Sequence, residues 1–281
     1  MRTTAPSILI GSKTKSLQYF SELHWPAGPI CPFCMNSERI YRLYDKRLKC
    51  SKCGRRFNIF SYSYLGRLYA PIEEIAHLMY LFTIGVPAFK SRLYLRVSLK
   101  TAHRAYRLFR KAIHDILLGT SVLNSLIIAD NNTVTWPVYR NKILINLKEA
   151  KGSIVASPLS RTELSSVVDL IDGSRNIREL KHISRDLVVD EFMIRNGFVI
   201  IRKPIPSQTK KRSSASLQET FHHYYNNLLY QYRGIPKNYF PFYLKEAEFR
   251  FNHRNDDIFL ELAKIMTRSY APSKNRYLPI P

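Results

Sequence analysis

Cys31-Pro32-Phe33-Cys34, then fifteen residues, then Cys50-Ser51-Lys52-Cys53-Gly54: this stretch decides how the chain is organised. Two residues between paired cysteines let both thiolates of a knuckle point at one ion, and two such knuckles complete a tetrahedral sulfur shell. Gly54 stands where the tight turn after the second pair needs a positive φ. Ile40, Tyr41, Leu43 and Tyr44 before the second pair, with Phe57 and Phe60 after it, read as apolar positions on short strands. The spacing predicts a small β zinc ribbon in which Cys31, Cys34, Cys50 and Cys53 hold a structural Zn²⁺. A closed tetrathiolate shell leaves no position for a reacting ligand. These are all four cysteines of the chain, so no disulfide framework is expected, which fits a reducing compartment.

Outward from the ribbon, the charge is one-sided. The 281 residues carry 44 Lys+Arg against 21 Asp+Glu, a net +23, while 45% are hydrophobic and 12% aromatic. Enough apolar material is present for packed cores, which excludes a disordered tail. The cationic excess repels itself on folding and calls for a polyanion, nucleic acid first. Lys46, Arg47, Lys49, Lys52, Arg55 and Arg56 crowd the ribbon and suit phosphate contact, or form a solvated face. No apolar run is long enough for a membrane span, and residues 1–20 lack a signal-peptide pattern. No membrane partner is expected. The expected location is cytoplasmic and nucleoid-associated in a bacterium, or nuclear in a eukaryote.

Downstream of the ribbon, residues 71–118 read as consecutive helices. Pro71 opens the first, with Glu73 and Glu74 near its positive end; Gly85 and Pro87 close it. A short second helix lies around Ala88–Leu95, and Ser98 is a natural N-cap for a third. In that third helix Ala102, Ala105, Tyr106 and Phe109 recur at inward spacing. Lys100, His103, Arg104, Arg107, Arg110 and Lys111 are expected outward. A turn followed by a capped, basic helix is the pattern of a helix-turn-helix whose last helix enters the DNA major groove.

From Leu123 on, β-branched runs alternate with helical patterns, as in an α/β domain. Strands are expected at Leu123–Ile128, Lys142–Leu147, Ser165–Ile171, Leu187–Val189 and Phe198–Arg202. Between them fall a turn at Asp172-Gly173-Ser174 and a helix near Ile177–Ile183. A basic segment, Ser207–Ser216, reads as a loop. A further helix, Ser216–Tyr232, carries the stripe Leu217, Phe221, Tyr224, Leu228 and Tyr232, with Glu219, His222, His223 and Asn226 on a polar face. Asp130 and Asp190 each follow an apolar strand. Two strand-end aspartates and a helical glutamate suit divalent cations, although isolated carboxylates are more often merely solvated.

Three segments carry a family resemblance: His24-Trp25-Pro26-Ala27-Gly28 running into the first cysteine pair, Val97-Ser98-x-Lys100-Thr101-Ala102, and Tyr243-Leu244-x-Glu246-x-x-Phe249-Arg250-Phe251-Asn252-His253-Arg254. The chain resembles, from about residue 16 to residue 267, the zinc-ribbon DDE transposases of small bacterial insertion sequences, the group related to eukaryotic Merlin elements. The resemblance implies an RNase H-like catalytic domain. It puts the first aspartate on Asp130, the helical glutamate on Glu219 and the second aspartate on Asp190, with Asp186 the other choice. It also implies Mg²⁺ or Mn²⁺ as catalytic metal, double-stranded DNA (element ends and target) as partner, and a homo-oligomer on DNA. Asn131-Asn132-Thr133 after the first aspartate and His222 in place of the usual Trp depart from the family pattern.

The architecture expected is therefore multi-domain: a lead over 1–23, the zinc ribbon over 24–62, an α-helical helix-turn-helix domain over 68–120, an α/β RNase H-like domain over 123–270, and a tail over 271–281. The function expected is transposition by metal-dependent strand cleavage and strand transfer. The alternatives are a catalytically inactive or domesticated DNA-binding regulator derived from such an enzyme and, more weakly, a ribbon protein for structured RNA.

Overall fold

The computed structural model describes residues 9, 11–125, 133–137, 144–150, 152–158, 187–188, 200–201, 217–232, 235–236 and 239–268. The chain divides into two compact units, residues 1–116 with 253–281 and residues 117–252.

The first unit opens on helix α1 (Lys13–His24), whose N-cap Ser12 accepts from the backbone N–H of Lys15. This helix spans the second half of the lead expected over 1–23, and its Phe20 is fully buried. Three strands follow: β1 (Ile40–Arg42), β2 (Leu48–Cys50) and β3 (Arg56–Phe57). They pair antiparallel in the order β1-β2-β3. Then come α2 (Ile72–Thr83), the one-turn α3 (Ala88–Ser91) and α4 (Leu99–Ser125). Phe82 of α2 meets Tyr106 and Phe109 of α4 edge-on at 5.2 and 5.4 Å. Ala102, Ala105, Tyr106 and Phe109 are all buried, as their spacing required.

The helix Ile258–Thr267 returns to this same unit, packing on α1 and α2. Where the sequence reading carried one domain from 123 to 270, the chain leaves the second unit at Asn252. The apolar face of Ile258–Thr267 (Phe259, Leu262, Ala263 and Met266, all buried) finds its partners far back along the chain, in α1 and α2.

The second unit contains β4 (Thr133–Pro137), β5 (Leu144–Ala150) and β6 (Ser153–Pro158), an antiparallel meander in that order. Ala150 pairs with Ser153 across a two-residue loop in which Gly152 has φ +75°, the left-handed conformation such hairpins demand. A two-stranded ladder joins β7 (Leu187–Val188) to β8 (Ile200–Ile201). Two helices follow, α5 (Leu217–Gln231) and α6 (Phe240–Asn252), and Ile258–Thr267 is α7. The core gathers Leu147, Ile154 and Ala156 of the sheet with Phe221, Tyr225 and Leu228 of α5 and Phe240, Leu244, Ala247 and Phe251 of α6.

One strand expectation is corrected. Leu123–Ser125 are the last turn of α4, not the start of a strand. Leu123 keeps helical phase with Ile116, two turns back, and a short apolar run satisfies either period. Residues 126–132, the expected strand Ser165–Ile171, the turn Asp172–Ser174, the helix near Ile177–Ile183, the loop Ser207–Ser216 and the tail 271–281 lie outside the described residues. No helix among the described residues is long and apolar enough to cross a membrane.

Candidate metal centre and nucleic-acid interface

The two cysteine pairs fold as near-identical knuckles. Met35 donates its N–H to the Cys31 carbonyl at 2.9 Å, and Gly54 donates to that of Cys50 at 3.0 Å. Cys31 in turn donates to Asn36 O and Cys50 to Arg55 O, the same offset in each pair. Both knuckles turn through the left-handed region at the residue after the second cysteine, Met35 at φ +59° and Gly54 at φ +69°. Glycine enters that region without penalty; Met35 pays a steric penalty to complete the same turn.

These turns bring four sulfurs together. Cys31 and Cys53 Sγ lie 3.6 Å apart, as do those of Cys34 and Cys50, and all four lie within 4.8 Å of one another. A tetrahedron with Zn–S bonds of about 2.3 Å has S···S edges of about 3.8 Å, so the set fits one zinc ion. Among the described residues no other set of three or more His, Cys, Asp or Glu converges in this way. Burial pushes the Cys31 thiol up, whereas the backbone N–H of Cys53 leads the interactions that pull Cys50 down. Leu48 and Phe57 close the site from the sheet side, with Phe33 and Ile40 at its margin.

Around the knuckles the fold is tied by aromatic anchors. The Trp25 indole N–H donates to Ile59 O at 3.0 Å. His24, buried against the rings of Trp25 and Phe60, bonds through Nδ1 to the carbonyl of Thr267 in α7. Its Nε2 is buried with no partner among the described residues, and burial lowers its pKa to about 4. His24 is therefore neutral at physiological pH and structural.

The basic helix α4 begins as the sequence reading required. Ser98 Oγ accepts the N–H of Thr101 at 3.1 Å, and Gly85 turns the chain between α2 and α3 at φ +81°. Lys100, His103, Arg104, Arg107 and Lys111 are exposed along α4. Arg104 lies over the ring of Tyr69 at 5.1 Å, and that ring is 83% exposed, so cation and aromatic share one surface. Lys111 bonds Asp115 at 2.9 Å, which offsets much of its charge. Burial opposes ionisation of Asp115, but hydrogen bonds from His114 and Lys111 prevail and hold its carboxyl below the usual range.

Arg110 is corrected. Expected outward with the others, it is buried, its guanidinium 5.5 Å from the ring of Phe82 and 5.9 Å from that of Tyr106. It lies one turn past Tyr106, on the inward face, and its long side chain fills that interface.

Asp130, Asp190 and Asp186 lie outside the described residues. Glu219 falls on α5, as expected for a helical glutamate, and its side chain lies outside the described ones. On the same helix His222 Nε2 engages Asn226 Nδ2 at 3.1 Å, a local contact of a polar face.

The segment Tyr243–Arg254 proves to be scaffold over most of its length. Lys245, Glu246, Glu248 and Arg250 of α6 are all buried, paired as Lys245–Glu248 at 2.7 Å and Arg250–Glu246 at 2.8 Å. Tyr232 donates to Glu246 at 3.0 Å. The i,i+3 and i,i+4 spacing of these charges signals pairing in the sequence, but nothing local to it marks them as interior.

No curated protein and no solved structure matches the chain. Residues 11–56, which hold α1, both knuckles and the first residue of β3, match the family model of the transposase zinc-ribbon domain.

Proposed function

We propose that the chain is a transposase-type protein whose first unit binds double-stranded DNA at the ends of a mobile element. The observation that carries this reading is the four-thiol cluster lying within a segment similar to a transposase zinc ribbon. The net charge of +23 and the exposed cations of α4 support it, because each neutralised phosphate releases condensed counterion. In this reading α2, α3 and α4 act as a helix-turn-helix, with Lys100, His103, Arg104, Arg107 and Lys111 toward the DNA. Among these, Arg104 carries the most weight, since its guanidinium and the exposed Tyr69 ring share one surface while Lys111 is already paired with Asp115.

The second unit is the proposed α/β, RNase H-like nuclease part. Its antiparallel meander and the helical position of Glu219 are compatible with that reading. Asp130, Asp190 and Glu219 would offer hard oxygen ligands to Mg²⁺ or Mn²⁺, which activate a water or a 3′-hydroxyl and stabilise the leaving oxygen. Element ends must be brought together for transfer, so the working form is a homo-oligomer on DNA. Its place is with the DNA, nucleoid or nucleus.

The test is cleavage of DNA carrying the element's ends, in Mg²⁺ or Mn²⁺, by wild type and Glu219→Gln. Metal-dependent nicking lost in Glu219→Gln with DNA binding retained supports the reading. Cleavage that survives Glu219→Gln refutes the carboxylate set. Binding without cleavage by wild type marks a DNA-binding derivative instead, the outcome that Asn131-Asn132-Thr133 after Asp130 favours.

A further inference from the structure

We infer that the outer face of the ribbon's sheet is a stacking platform for unpaired bases of single-stranded DNA, with Tyr41 under a base and Lys49 and Arg56 on the flanking phosphates. This deepens the DNA-binding reading above and rests on it.

The register makes the face. Tyr41 pairs with Lys49, and Lys49 pairs with Arg56, so the three stand in one row across β1, β2 and β3. Side chains alternate along a strand, so the row's neighbours Ile40, Leu48, Cys50 and Phe57 point the other way. Those four are the ones packed in the metal-site core. The row accordingly faces solvent: Tyr41 is 54% exposed, Arg56 is exposed and Lys49 is half-buried. Adjacent strands lie about 4.8 Å apart, which sets an aromatic ring one strand from an ammonium and two from a guanidinium.

Two features argue for an anionic, base-bearing ligand over a merely solvated face. Lys49 and Arg56 are direct cross-strand partners of like charge, an arrangement that destabilises a sheet unless an anion lies between them. Between Arg39 and Arg56 the sequence holds one carboxylate, Asp45, and Arg47 already engages it at 2.5 Å. Asp45 also acts on Arg56, but only at longer range, and among the described residues neither Lys49 nor Arg56 is in an ion pair. A solvent-facing tyrosine beside two such cations offers a π-face and phosphate contacts together, the combination that binds single strands without sequence preference. In a duplex the base faces are hidden in the stack, so Tyr41 would gain nothing from its ring there.

The experiment is fluorescence anisotropy of the full-length, zinc-loaded protein with a labelled oligothymidylate and with a random-sequence duplex of equal length. Tyr41→Ala is expected to weaken oligothymidylate binding by about 5- to 150-fold, the range of one base–aromatic stack. Tyr41→Phe should stay within about twofold, and duplex binding should change by less than about twofold in both. Tyr41→Leu, which keeps apolar bulk but has no π-face, should behave as Tyr41→Ala. It stands in if Tyr41→Ala loses its zinc. Lys49→Ser with Arg56→Ser should flatten the salt dependence on oligothymidylate by about 1.4, at about 0.7 per phosphate contact. Unchanged oligothymidylate binding in Tyr41→Ala and Tyr41→Leu overturns the inference, as does an equal loss on duplex, which would mark a groove reader. Wild type that binds duplex but not oligothymidylate overturns the platform alone. Wild type that binds neither overturns the DNA-binding reading as well.

Discussion

Asn252 clasps the backbone of Ile154 from both directions: its Oδ1 accepts from the Ile154 N–H at 2.8 Å, and its Nδ2 donates to the Ile154 carbonyl at 2.7 Å. One turn earlier on α6, Glu248 accepts from the N–H of Ala156 at 2.9 Å. Four residues of helix rise about 6 Å and two residues of strand about 6.6 Å, so the two repeats match. Among the described residues β6 is the outer strand of its sheet, and an uncovered edge invites pairing with another chain. Helix α6 closes that edge with side chains.

Asn252→Ala removes both bonds to Ile154 at once. Unfolding in urea should show a loss of about 1–3 kcal/mol, the range for buried groups left unpaired. Bound zinc should be unchanged, because the ribbon lies in the other unit. A loss within about 0.5 kcal/mol would show that water replaces the clasp.

Glu248→Ala removes the carboxylate that pairs with the buried Lys245 ammonium, which costs about 3–5 kcal/mol when one partner of such a pair is lost. The double variant Lys245→Met, Glu248→Leu should recover part of that loss, since two charges leave together while the Ala156 N–H still loses its acceptor. Urea midpoints of the two variants decide it, and equal losses in single and double would contradict the pairing.

His24 makes the first unit sensitive to acid. Its pKa is about 4 in the fold against 6.5 unfolded, so between those values the unfolded chain binds more protons. Stability from this group is whole above about pH 6.5 and falls as pH drops toward 4, by about 3 kcal/mol at about 1.4 kcal/mol per unit. His24→Phe should remove this slope from pH 6.5 to 4 in thermal unfolding of the zinc-loaded protein. A slope that persists unchanged would place the titration elsewhere.

Arg104 and Arg110 should part company. Arg104→Ala should lower duplex affinity and flatten the plot of log K against log salt by about 0.9, one phosphate contact. Arg110→Met should leave that slope unaltered and instead shift the melting temperature. If Arg110→Met changed the slope as Arg104→Ala does, the buried position would be wrong.

The sequence made visible those parts whose physics is local. The cysteine spacing, the Ser98 cap, the Gly54 turn and the inward stripe of α4 each follow from a few adjacent residues, and the structure bears them out. Met35 at φ +59° was hidden because nothing about methionine announces a left-handed turn; only the symmetry of the two knuckles requires it. Arg110 was misread by its charge although its phase, one turn from Tyr106, placed it inside. β4 and β6 were missed because neither was distinguished from loop, even though Gly152 marks the hairpin between β5 and β6. The return of α7 to the first unit and the burial of the α6 charges depend on partners distant in sequence, which no local period encodes.

In the proposed reading a zinc-organised first unit grips DNA through its cations. The most direct test is the salt dependence of duplex binding by the full chain, measured before and after chelation with metal release quantified. One zinc per chain is expected, with a steep fall of log K with log salt and, once zinc is gone, weaker binding with a visibly shallower slope. Full release of zinc with affinity and slope unaltered would contradict that reading.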